Sequence, residues 1–417
     1  MTTIAYIANE FPSVLEPQAI DQIAELRRRG LRVICYSGTR VSPSALSLAE
    51  RAFWKETHCL RPLADDELIG AVRRLASDRQ SLGQLLRLLV DAGGRSPAHR
   101  IRALGYTVLG AALARQLEPL EVAHIHAHSG DLAGWTALGA ARLLEISFSF
   151  TLHDSDLSRH PDLLSAKLRA CQFCVTGSDY HRQHILRKYR STPLEKVIVQ
   201  PPGIDRVLPW PTPDAPPGRR FTLLSVSPLQ RVNDTRFLIE ACACLRDQAV
   251  DFLCWIVGQG PEHLALEKQI VALGLQGRVY LMGQVPPNDL AGYYRHADLV
   301  VRTGESGDIP AVLLEAMAHQ KLVLAPAIAG ISELVEHQRT GFLYQPGSVA
   351  AFVHAVHWIQ ANQSSVAGIA RAAASHVAAS YNRQRNLRAF AEQFLARIPQ
   401  LEGEHAHPVL QRAGLFR

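Results

Sequence analysis

Short, almost uninterrupted apolar runs recur along the chain, separated by longer stretches whose apolar positions fall three and four residues apart. The runs at residues 3–8, 31–36, 122–128, 146–152, 173–176 and 197–199 are each followed by turn residues and read as strands buried on both faces. Between the first two, Ile20, Ile23, Ala24 and Leu26 share one helical face over residues 18–29, and Gly30 supplies the stop. Strand, helix, strand in repetition predicts parallel sheets with helical crossovers. After residue 220 the alternation starts afresh, with strands predicted at 221–227, 252–257, 279–282 and 299–301 and a helix at 235–245.

Between the two series stand Pro209, Pro211, Pro213, Pro216 and Pro217, a run that cannot be helical and reads as a linker. With 417 residues there is material for two cores, so the chain is divided into a first domain over 1–205 and a second over 206–417. Residues 43–120 interrupt the first series. Their leucines at 82, 85, 86, 88 and 89, interleaved with Arg73, Arg74, Arg87, Arg100 and Arg102, predict an insertion of amphipathic helices. Such helices either rest on an anionic bilayer or present a solvated face.

Composition narrows the class. Hydrophobic residues at 47% and charged residues at 20% exclude a disordered chain. A net charge of +6 points to an anionic partner, but the arginines are scattered rather than set in a stripe with aromatics, which argues against nucleic acid. Seven irregularly spaced cysteines, and a start that enters a strand at once, predict a cytoplasmic protein. Cys171 and Cys174 form a lone CxxC and are expected to be buried thiols. No apolar run is long enough to cross a bilayer, so membrane contact would be peripheral. His124, His126 and His128 alternate along one predicted strand face, which invites a metal. A buried parallel strand, however, does not point its side chains into open space, and no acidic ligand sits at matching spacing.

The densest chemistry lies in residues 299–330: a strand, a loop with Gly304 and Gly307, a helix with Val312, Leu313, Ala316 and Met317 inward, and a second strand. Asp308 or a neighbour is expected to cap that helix, with Pro310 in its first turn and Lys321 at its end. At the carboxyl end of a parallel strand a helix N-terminus favours an anion such as a diphosphate. Glu315, one turn inside, is placed to hydrogen-bond a sugar hydroxyl; the plain alternative is a solvated helix glutamate. Gly258 and Gly260 lack the third glycine of a dinucleotide fingerprint, His263 standing in its place, so nicotinamide binding is not expected.

Ile309 to Ala318, Gly330 to Val335 and Thr340 to Leu343 resemble the donor-site region of glycosyltransferase family 4. The resemblance implies the GT-B fold: α/β, two Rossmann-like domains with parallel sheets facing across a cleft, the last helix crossing back onto the first domain. It implies retaining sugar transfer, without a metal cofactor, from a nucleotide diphosphate sugar to a glycan or lipid-linked acceptor in surface polysaccharide assembly. By the same resemblance Glu315 holds the donor's ribose, Asp308, Ile309, Gly258 and Gly260 line the donor site, and Gly307 lies by the sugar. His153 corresponds to a cleft histidine contacting sugar or acceptor, His128 lies on the strand leading there, and Glu16 belongs to an acceptor-facing first loop. Asp154 and Asp156 only mimic the metal-binding DxD pair of another transferase fold.

The pattern breaks where charge is needed. The family's arginine and lysine after the second domain's first strand fall on Pro228 and Asn233, and its first paired glutamate on Gly307. A leaving diphosphate needs positive charge, each well-placed donor being worth roughly 3 kcal/mol of barrier. Either Arg231 and Arg302 form a rearranged clamp, Arg236 also flanking the loop, or the protein has become a non-catalytic binding or partner subunit.

Overall fold

The structure is a computed structural model that describes residues 1–13, 18–43, 46–91, 97–158, 164–205 and 219–399. Glu16 and the proline linker therefore lie outside the described residues. The chain divides into two units: the described residues of Met1–Val175, Tyr189–Ile198 and Leu387–Arg417, and those of Thr176–Lys188 and Val199–Asn386. The units depart from a single cut near residue 205 at Thr176–Lys188 and Val199–Asp205, which belong to the second, and at the residues from Leu387 on, which belong to the first. A short helical segment of the first half joins the second unit, and the last helix returns to the first.

The first unit is built on a seven-stranded sheet in the order β3-β2-β1-β4-β5-β6-β7. Its strands are β1 (Thr3–Glu10), β2 (Arg32–Thr39), β3 (His58–Cys59), β4 (His124–Ala127), β5 (Ser147–Leu152), β6 (Phe173–Thr176) and β7 (Val197–Val199). β1 pairs in parallel with both β2 and β4, so it is central and buried on both faces. Alternate residues Ile4, Tyr6 and Ala8 pack with Phe173, Phe390 and Phe394 on one side.

The region 43–120 is only partly the expected insertion. Its helices are Leu48–Glu56, Asp65–Ser77, Arg79–Asp91 and Pro97–Leu117, but His58–Cys59 pairs with β2 as an edge strand. The second half of Pro97–Leu117 is buried, with Ala111, Ala112, Leu113, Ala114 and Leu117 all in the core. That helix is the crossover into β4. Gly110 and Gly139 let it lie against helix Leu132–Leu144, since a Cβ on Gly110 would come within 3.0–3.2 Å of that helix's backbone. No described helix is long and apolar enough to cross a membrane.

The second unit carries a six-stranded sheet in the order β10-β9-β8-β11-β12-β13. The strands are β8 (Phe221–Val226), β9 (Phe252–Val257), β10 (Val279–Gly283), β11 (Leu299–Val301), β12 (Leu322–Pro326) and β13 (Phe342–Tyr344). Neighbouring residues feed opposite cores: Leu223, Leu299 and Val301 pack under helix Thr235–Asp247, whereas Leu224 and Val300 pack under helix Ala311–Ala318 with Leu313 and Met317. This two-sided burial is why the strands read as continuous apolar runs.

Candidate active site

In an open parallel sheet the ligand crevice forms outside the strand carboxyl ends, where strand order reverses. The second unit reverses between β8 and β11, which pair directly. Three loops converge at that point. Leu229 N donates to Gln259 O (3.0 Å) and Ser227 N to Val257 O (3.0 Å), holding the loop after β8 against the one after β9. Gly258, at φ +149°, and Gly260 make this contact possible: a Cβ would stand 1.9 Å from Ser227 O at the first and 2.5 Å from Leu229 O at the second. These glycines shape the loop packing.

The loop after β11 is fastened to the other side of the β8 loop. Thr303 Oγ1 donates to Asn233 O (3.0 Å), Glu305 N donates to Val232 O (3.2 Å), and Arg302 Nη2 donates to Asn233 Oδ1 (2.9 Å). Asn233 in turn donates from Nδ2 to Pro228 O (2.6 Å). A Cβ on Gly304 would sit 2.8 Å from Arg302 Nη2, from Asn233 Cα and from Val232 O, so this glycine is required by close approach. Arg302 is 9% exposed, and burial pulls its guanidinium's pKa down from the ordinary value. Arg231 sits exposed in the turn Arg231–Asn233, and Arg236 is paired with Glu262 (2.8 Å).

Helix Ala311–Ala318 begins two residues later than an Asp308 cap requires. Pro310 occupies the N-cap position with no side-chain cap, and Asp308 Oδ1 instead lies 3.8 Å from Nδ1 of buried His181. Asp308 precedes Pro310, and the ring fixes the cap residue's geometry and offers no oxygen to the first-turn amides. Lys321 falls beyond the helix end and donates to Arg295 O (2.8 Å) and Ala297 O (3.1 Å). Ile309 sends its side chain into the core. Gly307 O accepts from Gly330 N (2.9 Å).

Glu315 stands one turn inside the helix, half-buried. Its Oε2 accepts from the hydroxyl of buried Tyr294 (2.9 Å). Burial raises the carboxyl pKa, and the tyrosine hydrogen bond opposes that rise. The remaining oxygen is available to a ligand hydroxyl. Tyr294 carried no signal in the sequence, because the contact joins residues 21 positions apart on different helices.

The first unit reverses strand order between β1 and β4. His128 follows β4 there, fully buried, and its Nδ1 lies 2.6 Å from the Tyr6 hydroxyl, which donates to Gln22 Oε1 (2.7 Å). His128 Nε2 is buried with no hydrogen-bond partner among the described residues. His153 is partly exposed at the end of β5, its Nε2 3.3 Å from His128 O and its backbone N–H donating to Asp156 Oδ2 (3.0 Å).

His124 and His126 share one strand face but point into the core. Ser147 and Ser149 flank the two nitrogens of His124, both at 2.7 Å, and Ser149 (2.7 Å) and Thr151 (3.1 Å) flank those of His126. Burial drives the His124 pKa down to about 3. Among the described residues no three His, Cys, Asp or Glu side chains are grouped to hold a metal ion. Cys171, just after helix Leu164–Ala170, and Cys174, within β6, are buried thiols.

The profile of Glycosyltransferase Family 4 matches residues 16–207, and that of Glycosyl transferases group 1 matches residues 210–376. The chain carries a Glycosyltransferase Family 4 domain followed by a Glycosyl transferases group 1 domain. It is 30% identical over 199 residues to a putative colanic acid biosynthesis glycosyltransferase, WcaL, of Escherichia coli K12, covering 46% of this chain and 49% of that one. It is 30% identical over 176 residues to the amylovoran biosynthesis glycosyltransferase AmsK of Erwinia amylovora, covering 41% and 43%. The matched stretches thus span about half the length of these relatives or less. A solved structure of Anabaena Alr3699/HepE in complex with UDP-glucose superimposes with a TM-score of 0.67 at 19% identity, covering 95% of this chain and all of that one, a likeness of fold.

Proposed function

We propose that this family 4 chain transfers a sugar, with retention of anomeric configuration, from a nucleotide diphosphate donor to a glycan or lipid-linked acceptor in surface polysaccharide assembly. The observation carrying this reading is Glu315: a half-buried carboxylate held by Tyr294, beside the strand reversal of the second unit, with one oxygen left for a ribose hydroxyl. The diphosphate then lies toward the amino end of helix Ala311–Ala318, with Asp308, Ile309 and the Gly258–Gly260 loop around it and Gly307 beside the sugar. In the first unit His153 is assigned to the sugar or acceptor, and His128 to an acceptor hydroxyl. The C1–oxygen bond of the donor breaks, the acceptor oxygen bonds to C1, and the acceptor's proton leaves with the diphosphate. The polysaccharide context is supported by the roles for which the relatives are named, and a UDP-sugar by the ligand of the structural neighbour.

The same reading places the protein peripherally on a membrane carrying the acceptor. Leu68, Ile69 and Val72 on one helix, with Leu86, Ile101 and Leu104 on the next two, are all exposed. Arg73, Arg87 and Arg102 are exposed on the same helices.

The experiment is release of nucleoside diphosphate from a panel of nucleotide sugars, with membrane extract as acceptor and with EDTA present throughout. Release from one donor, reduced about tenfold or more by Glu315→Gln, supports transfer without a metal cofactor. Saturable nucleotide binding with no release from any donor would instead favour the binding-subunit reading. The lost charges at Pro228 and Asn233 are the observation on its side.

A further inference from the structure

Arg302 is a buried cation with no counter-ion among the described residues. It is 9% exposed, its Nη2 donates to an amide oxygen, and among the described residues neither it nor any other group of the side chain meets a carboxylate. Its Nε is buried with no hydrogen-bond partner among the described residues. Buried charges are expected to be paired, since an ion removed from water loses its hydration and regains that stabilisation only from a partner. The guanidinium also lies against Asn233, where the family pattern would place a lysine, and at the β8–β11 reversal where an open sheet receives its ligand. Around it Asn233 is fixed to Pro228 O, Thr303 to Asn233 O, and Tyr344 donates to Arg302 O (3.3 Å). Gly304 keeps clear the space that any Cβ would take from the guanidinium.

We infer that the positive charge of the donor site has moved from the loop after β8 to the end of β11: Arg302 is the diphosphate-binding cation of this chain, and Asn233 is its cradle. Exposed Arg231 is not part of it. A lysine at 233 beside a buried guanidinium would set two like charges together, so loss of one cation and gain of the other are a single exchange. The inference rests on the donor reading only for the identity of the anion; the unpaired charge calls for an anion of some kind whatever the protein does.

The test is calorimetric titration of the full chain with UDP, GDP and ADP, with the matching nucleosides, and with inorganic pyrophosphate. The wild type is expected to bind one nucleoside diphosphate well above its nucleoside. Arg302→Gln should lower diphosphate affinity about tenfold to a hundredfold, the range for hydrogen bonds to charged groups, while nucleoside affinity stays put. The double variant Arg302→Gln with Asn233→Lys should regain much of the loss. Asn233→Asp, which keeps the arginine but hands it a carboxylate, should weaken diphosphate binding as well. If Arg302→Gln fails to fold, Asn233→Asp decides alone. Unchanged diphosphate affinity in these variants would overturn the inference and leave the transferase reading standing. Pyrophosphate bound through Arg302 with no response to any nucleotide would do the reverse, and binding of neither would remove both.

Discussion

A carboxylate half-buried against a tyrosine is a compromise between binding and stability, and Glu315 makes that compromise measurable. Burial favours its neutral form, so its pKa in the fold is raised above the unfolded value. A raised carboxyl pKa contributes stability below the unfolded pKa and loses it as pH climbs through the folded one, so at neutral pH the ionised group is a burden. Glu315→Gln should therefore raise the melting temperature at pH 7 by roughly 2–4 °C, the shift expected for about 1 kcal/mol in a unit of this size, while weakening nucleotide binding. The advantage should vanish as pH falls below the ordinary glutamate range. Tyr294→Phe removes the bond that opposes the rise, so nucleotide affinity should drop several-fold and the loss should deepen at acidic pH, read by titration at pH 5.5 and 7.5. The position of Glu315 one turn inside a helix was legible because a helix following a strand end is predictable from the apolar pattern. The contacts of Tyr294 and Arg302 were not, since both are made across long stretches of chain.

Among the elements, the strands were the most legible. Runs at 173–176, 197–199, 252–257 and 299–301 coincide with observed strands because parallel strands buried on both faces leave little room for polar residues. Helix Pro97–Leu117 was misread as insertion because its two halves obey different rules: Ile101 and Leu104 are exposed, while Ala111 to Ala114 are enclosed. The histidine strand β4 supplies an element-scale prediction. Burial depresses the pKa of His124 to about 3, and those of His126 and His128 lie well below their usual value. Once unfolded, each imidazole takes up a proton below about pH 6.5. Stability of the first unit should accordingly fall as pH drops through that value, by up to about 1.4 kcal/mol per pH unit for each imidazole. His124→Asn should flatten this acid slope between pH 7 and 5 in denaturant titrations, even though it lowers stability at pH 7. An unchanged slope would mean that the imidazole is already protonated in the fold.

At the scale of the whole molecule, chain order and structural membership part company after residue 386. Phe390, Ala391, Phe394 and Ile398 pack with Ile4, Tyr6, Phe173 and Val175, so the final helix completes the core of the first unit. Phe394 is fully buried, with its ring 5.3 Å from Phe173 and 5.4 Å from His126. Truncating such a side chain to alanine typically costs about 3–5 kcal/mol. Because the loss falls on a core assembled from both ends of the sequence, Phe394→Ala in the full chain should reduce amide protection in β1, β4 and β6, more than 200 residues away in sequence. Protection in β8, β9 and β11 should hardly change. Weakened amides in β8 to β13 instead would mean that this helix stabilises the second unit. Hydrogen exchange followed by mass spectrometry of peptides from the two sheets separates these outcomes in one experiment.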